Sequence, residues 1–236
     1  MGRIIYIRHG QASVFSDNYD QLSELGMNQA VQVGKFLKSE GVQIDRLFTG
    51  PLHRHHQTLN GMLEGLGSDI QPTELEGLRE HQGYSILKQH MAELIEEDQQ
   101  MLDLVNRPWT DFKDQIKHHI RVFEHFSLNW IEGRYDHLIN DAYQSWHEFS
   151  KSAASAFQNI TDLTNSGETS VVITSGGPKA IACGDALDLS SEKVMRTSWV
   201  IYNCSITEFL VSDTRTSLSS FNHISYLTDQ SHRTLV

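Results

Sequence analysis

Arg8-His9-Gly10 stands directly after an apolar run, Ile4-Ile5-Tyr6-Ile7, near the start of the chain. An imidazole can act as a nucleophile, and an adjacent guanidinium can hold the anion it attacks. The run is short, rich in Ile and ended by a turn residue, so it reads as a buried strand. His9 then sits at a strand's carboxyl end, where open α/β sheets keep their ligand sites. Three further segments carry reactive groups. Gly50-Pro51-Leu52-His53-Arg54-His55-His56-Gln57-Thr58 is a turn into a helix bearing Arg54, and Leu78-Arg79-Glu80-His81-Gln82-Gly83 offers Glu80, with Glu74 and Glu76 nearby. Thr174-Ser175-Gly176-Gly177 closes an apolar run that begins at Ser170.

These groups need a scaffold, and the pattern supplies one. Ser23-Glu24-Leu25-Gly26 opens an amphipathic helix with Leu22, Leu25, Ala30, Val33, Phe36 and Leu37 on or near one face, and Gly41 is its terminator. Residues 45–49 read as a second buried strand, and Pro51 suits the start of the helix from about Leu52. Residues 70–75 are a weaker strand. From Tyr84 to about Asn165 the pattern is helical, with Trp109, Trp130 and Trp146 and a break at Arg107-Pro108, which predicts a helical cap inserted at about residues 84–150. Residues 170–174 form the clearest later strand, Pro178 onward is helical, and β-rich segments cover about 202–212 and 216–224. This alternation predicts one α/β domain over residues 1–236, a three-layer sandwich with a mainly parallel central sheet plus the insert.

Bulk properties narrow the function. With 236 residues, 39% hydrophobic and 21% charged, the chain has the composition of a soluble globular protein. No apolar stretch approaches the roughly 20 residues that span a bilayer, and the amino-terminal segment does not read as a signal peptide. Cys183 and Cys204 lie in no metal-binding spacing, and a cytoplasmic location with reduced thiols is the expectation. A net charge of −11 without a basic stripe argues against nucleic acid or an anionic membrane as partner. A small anion remains admissible, because a few converging arginines set the local field.

In this order, the segments IRHGQ, LSELGMNQA, LFTGPLHRHHQT, LREHQGY and VVITSGG resemble the histidine phosphatase superfamily, also called phosphoglycerate mutase-like, over most of the chain. The resemblance implies that His9 is a nucleophile that becomes transiently phosphorylated. It implies that Arg8 and Arg54 bind the phosphoryl oxygens, and that Glu80 gives a proton to the leaving group and then serves as base for water. These roles answer the needs of phosphoryl transfer, namely in-line attack, positive charge on the equatorial oxygens and a proton for the departing alkoxide. No metal or organic cofactor is required.

One position departs from the pattern. Where such proteins carry a second histidine before the late glycine, this chain has Ser175. Losing one charge-assisted contact costs roughly 1.5–3 kcal/mol, or one to two decades in rate. The amides of Gly176 and Gly177 form an anion nest at a helix start, and one of His53, His55, His56 and His81 could lean into the pocket to compensate. Asn18, in the loop after the first motif, is a further candidate phosphoryl contact or a turn residue.

Competing readings are weaker. Ile173 occupies the first glycine position of a GxSxG elbow, which argues against Ser175 as a hydrolase nucleophile. His53 and His56 could share a helix face, but no third metal ligand is specified; His118-His119 reads as helix surface, and the tryptophans as packing of the insert. The sequence therefore predicts hydrolysis of a small phosphomonoester through a phosphohistidine at His9. The alternative is a catalytically impaired phosphate-binding or interaction protein on the same fold, with inorganic phosphate or a phosphorylated molecule as ligand. Mutase activity is disfavoured, because it needs a stable phosphoenzyme and the absent histidine weakens that.

Overall fold

The structure is a computed structural model that describes residues 1–13, 20–139 and 142–235. It divides into two compact units, Met1–Glu80 with Lys151–Val236, and His81–Ser150.

The first unit is built on a six-stranded sheet. In chain order its strands are β1 (Gly2–Arg8), β2 (Arg46–Thr49), β3 (Thr73–Glu74), β4 (Thr169–Thr174), β5 (Ile206–Ser212) and β6 (Arg215–His223), and in space they run β3-β2-β4-β1-β5-β6. The pairs β1/β4, β2/β4 and β2/β3 are parallel, and β1/β5 and β5/β6 are antiparallel. β1 is central, which explains its unbroken apolar run: Ile4, Ile5, Tyr6 and Ile7 are all at most 1% exposed.

Side-chain alternation along that strand divides the core in two. Ile5 and Ile7 face one side, with Ala30, Val33 and Leu37 of α1 (Glu24–Ser39) and Leu59 and Met62 of α2 (His53–Leu66). Ile4 and Tyr6 face the other side, with Phe157 and Ile160 of the late helix that ends at Leu163 and Ala182 and Cys183 of the helix that follows β4. Helices on both faces of a mainly parallel sheet make the expected three layers. Each buried Ile, Leu or Phe contributes about 1.5–3 kcal/mol, so this double core dominates what holds the site's frame.

Local signals set the ends of α1. The Ser23 hydroxyl accepts from the Gly26 amide at 3.0 Å. Past the carboxyl end, Gly41 takes φ +66, the left-handed conformation expected of a terminating glycine.

The second unit holds α3 (Gly83–Gln89), α4 (Met91–Glu97), α5 (Gln99–Asn106), α6 (Phe112–Ile131) and the start of α7 (Trp146–Leu163). Arg107-Pro108 does fall between helices. Trp130 and Trp146 are buried there, Trp130 beside Phe126 and edge-on to Trp146, whereas Trp109 is 47% exposed. Asp98 is buried too, satisfied by the Tyr135 hydroxyl at 2.7 Å and His125 Nε2 at 2.8 Å, and these hydrogen bonds hold its carboxyl down at about 2 against the opposing effect of burial. His118 corrects an expectation: it is buried, 5.4 Å from the Trp109 ring, and only His119 of that pair is exposed.

The first unit resumes with the rest of α7, then β4, α8 (Gly176–Leu187) and α9 (Ser191–Ser198). α9 was not anticipated, although Ser190 caps it by accepting from the Lys193 amide at 3.4 Å. Among the described residues no helix is long and apolar enough to cross a membrane.

Candidate active site

The site is assembled where β1 and β4 end. Their register pairs Arg8 with Thr174, and the His9 amide donates to the Thr174 carbonyl at 2.8 Å, so the two chains leave the sheet side by side. His9 follows from one strand and Ser175 from the other. The carbonyl end of β1 is held from a third direction, because Asn203 Nδ2 and the Cys204 amide both donate to the His9 carbonyl. Cys204 reaches it with φ +53.

His9 is buried, and its Nδ1 lies 2.7 Å from the Gly10 carbonyl. A carbonyl oxygen only accepts, so Nδ1 carries the proton and Nε2 presents its lone pair. Arg54 Nε donates to that lone pair at 3.2 Å. Gly10 turns tightly against α1, where a Cβ on it would stand 2.4 Å from the Gly26 carbonyl oxygen, and its amide donates to Thr58 Oγ1 at 3.0 Å. The direction of the His9 ring is thus set by backbone contacts and by α2.

Arg54, at the start of α2, is buried and pairs through Nη1 with Asp20 Oδ1 at 2.9 Å. Asp20 also accepts from the backbone amides of His53 at 2.9 Å and Arg54 at 3.3 Å. One carboxylate therefore caps α2 and anchors its arginine, which fits the positive amino-terminal end of a helix. Asp20 escaped sequence reading because it lies 34 residues from Arg54. Asn203 and Thr58 were missed in the same way.

Glu80 places both carboxylate oxygens 3.2 Å from the Gly177 amide, at the start of α8. Its two neighbours are engaged elsewhere, Glu76 with Arg79 and Glu74 with His56 Nε2 at 2.9 Å. Ser175 is the N-cap residue of α8 but makes no side-chain cap bond. Arg8 Nη1 donates to the carbonyls of Ile201 and, at 2.6 Å, Leu235. A Cβ on Gly176 would stand 3.9 Å from Arg8 Nε and 3.8 Å from Glu80 Oε2, so the helix start lies between that guanidinium and that carboxylate.

Of the four flanking histidines, one reaches the site's interior. His55, fully buried, sits with Nε2 2.7 Å from Ser175 Oγ and its ring 5.8 Å from that of His9. His53 and His56 are on the outer face, and His81 packs on Trp130 and Phe149 within the second unit. Asn18 lies outside the described residues. Among the described residues no group of three His, Cys, Asp or Glu side chains could hold a metal ion.

Behind the site, Lys179 of α8 is buried, its Nζ donating to the Ser205 carbonyl at 2.7 Å and hydroxyl at 2.9 Å, and burial pulls its pKa down to about 7. His9 lies well below the usual histidine value of 6.5, first through burial and then through Arg54 and Arg8. Burial and Arg54 lower His55 likewise.

Both rings stay neutral in the fold under conditions where the unfolded chain takes up protons. The unfolded state therefore binds more protons below pH ~6.5, and stability falls with pH from there, by up to about 1.4 kcal/mol per pH unit per ring. Denaturant titrations of the wild type and His55→Asn between pH 7.5 and 5 are expected to show a slope shallower by one proton in the variant. Equal slopes would mean that His55 titrates normally.

Residues 4–118, just under half of the chain, match the histidine phosphatase superfamily (branch 1). The 2,3-bisphosphoglycerate-dependent phosphoglycerate mutase of Porphyromonas gingivalis is 33% identical over 94 residues, which are 37% of this chain. The chain aligns with 38% of that relative's length. Among solved structures, phosphoglycerate mutase from Bacillus anthracis has a TM-score of 0.63 at 15% identity, covering 96% of this chain and 95% of that one. Phosphoserine phosphatase from Entamoeba histolytica, solved in complex with phosphoserine, has a TM-score of 0.61 at 20% identity, with 96% and 100% covered. At these identities the likeness is one of fold.

Proposed function

We propose that this protein is a histidine phosphatase that hydrolyses a small phosphomonoester through a phosphohistidine at His9. The observation that carries the reading is the geometry of the His9 ring: Nδ1 is fixed on the Gly10 carbonyl and Nε2 is turned to Arg54, while burial and then Arg54 and Arg8 lower its proton affinity. A nucleophile needs the Nε2 lone pair, and an arginine beside it supplies the charge that draws a phosphoryl group in.

In the reaction, Nε2 attacks phosphorus as the ester P–O bond breaks. Glu80 passes a proton to the departing alkoxide. Water then gives a proton to Glu80 and attacks phosphorus, the P–N bond breaks, and inorganic phosphate leaves with His9 regenerated. Arg54 and Arg8 take the equatorial oxygens, with the amides of Gly176 and Gly177 at the start of α8. In this reading the chain is one phosphatase domain over residues 1–236, with a helical insert at about residues 84–150.

Ser175 favours a second reading, a phosphate binder with little turnover. Labelling with a reactive phosphate donor, quenched in alkaline detergent, separates the two. The phosphatase reading expects a label on His9 that is stable to base and labile to acid. Binding of inorganic phosphate without such a label would select the binder.

A further inference from the structure

We propose that His55 and Ser175 act as one donor unit of the phosphate site: the Ser175 hydroxyl contacts a phosphoryl oxygen, and the His55 imidazole behind it sets that hydroxyl's direction and takes up a proton when the dianion arrives. The proposal deepens the phosphatase reading and rests on it. His55 is a positioning residue, acting through Ser175.

Three observations carry it. The two side chains meet at 2.7 Å although 120 residues apart, and both are fully buried. Ser175 leaves β4 alongside His9, and its hydroxyl does not cap α8, so its hydrogen bonding is turned to His55 rather than to the helix. The ring fits only because residue 50 is glycine: a Cβ there would stand 2.3 Å from His55 Nδ1 and 2.7 Å from Cε1. A buried imidazole placed on a buried hydroxyl, with backbone cleared for it, is costly to keep without a polar ligand.

The charges facing His55 explain how the unit responds. Arg54 and His56 from α2, Arg79 from the segment before α3, and His9 from the end of β1 surround it, and the first three lower its proton affinity, with burial the larger cause. Anion binding reverses the sign of that field. A phosphoryl dianion neutralises the guanidinium, the ring accepts a proton from solvent, and Nε2–H donates to Ser175 Oγ, which frees the hydroxyl proton for the phosphoryl oxygen. The pair would thereby supply a charge-backed contact from two neutral residues.

The test uses orthovanadate and inorganic phosphate on the whole chain. In the wild type, histidine ring NMR is expected to show the His55 titration moving upward by at least about one pH unit when phosphate is added, a tenfold change in proton affinity. Ser175→Ala and His55→Asn are each expected to weaken vanadate binding and lower kcat by roughly tenfold or more. The double variant should be no worse than either single one, because the two residues form one unit. A His55 titration unmoved by phosphate, or single effects that simply multiply, would overturn the proposal while His9 labelling still stood. Loss of the His9 label in the wild type, with phosphate still bound, would instead overturn the phosphatase reading. The NMR arm needs no variant, so poor folding of a mutant leaves the question decidable.

Discussion

His9→Ala is expected to abolish both the acid-labile phosphoenzyme and turnover, lowering kcat by at least about a thousandfold on any phosphomonoester that the wild type hydrolyses. The His9 ring is held through Nδ1 on the neighbouring Gly10 carbonyl, and buried Arg54 donates to its Nε2. The substitution removes the attacking atom but leaves Arg54 on Asp20. Affinity for inorganic phosphate should therefore change by less than about tenfold, since the charge that attracts the anion is retained. The measurement pairs single-turnover hydrolysis with phosphate titration. Activity above about a tenth of wild type would remove His9 from the mechanism.

Arg54→Ala should rank second in effect, with kcat/KM falling by about 10²–10³, the range seen when a preorganised donor to developing charge is lost. Two further consequences follow from the site's wiring. The Asp20 carboxylate loses its buried partner while still capping α2, which weakens the helix start that carries His55. His9 also loses the charge that, after burial, does most to lower its proton affinity. Its pKa should rise toward 6.5, and the acid limb of the kcat/KM profile should move to higher pH. Arg54→Lys keeps the charge but not the planar fork, so it should recover the position of the acid limb and only part of the rate. A profile unmoved in Arg54→Ala would show that the two groups are not coupled.

Much of the frame was legible because its signals are local. The β1 run reads as a buried strand because the sheet places β4 and β5 on its sides and helices on its faces, leaving no polar alternation. Ser23 and Gly41 bound α1 through contacts within a few residues of themselves. The motif order Arg8-His9, Arg54, Glu80, Ser175 was readable for the same reason, as each sits at an element end marked by Gly or Pro. α9 was harder, since a helix of eight residues offers two turns of periodicity and Pro178 had already claimed the preceding helix.

The sequence by itself determined the inventory: an imidazole, two arginines, a carboxylate and a serine, each at the end of an element of known type. Tertiary structure alone decided which histidine of the HRHH run turns inward, that Asp20 holds Arg54, and that Asn203 closes on the His9 carbonyl. These contacts join residues 120, 34 and 194 positions apart. They depend on strand order and on the rotation of α2 about its axis, which packing of Leu59 and Met62 against the sheet sets. Such distances leave no periodicity in the chain to read. The physics that places them is the filling of a core, and that acts only once the layers have met.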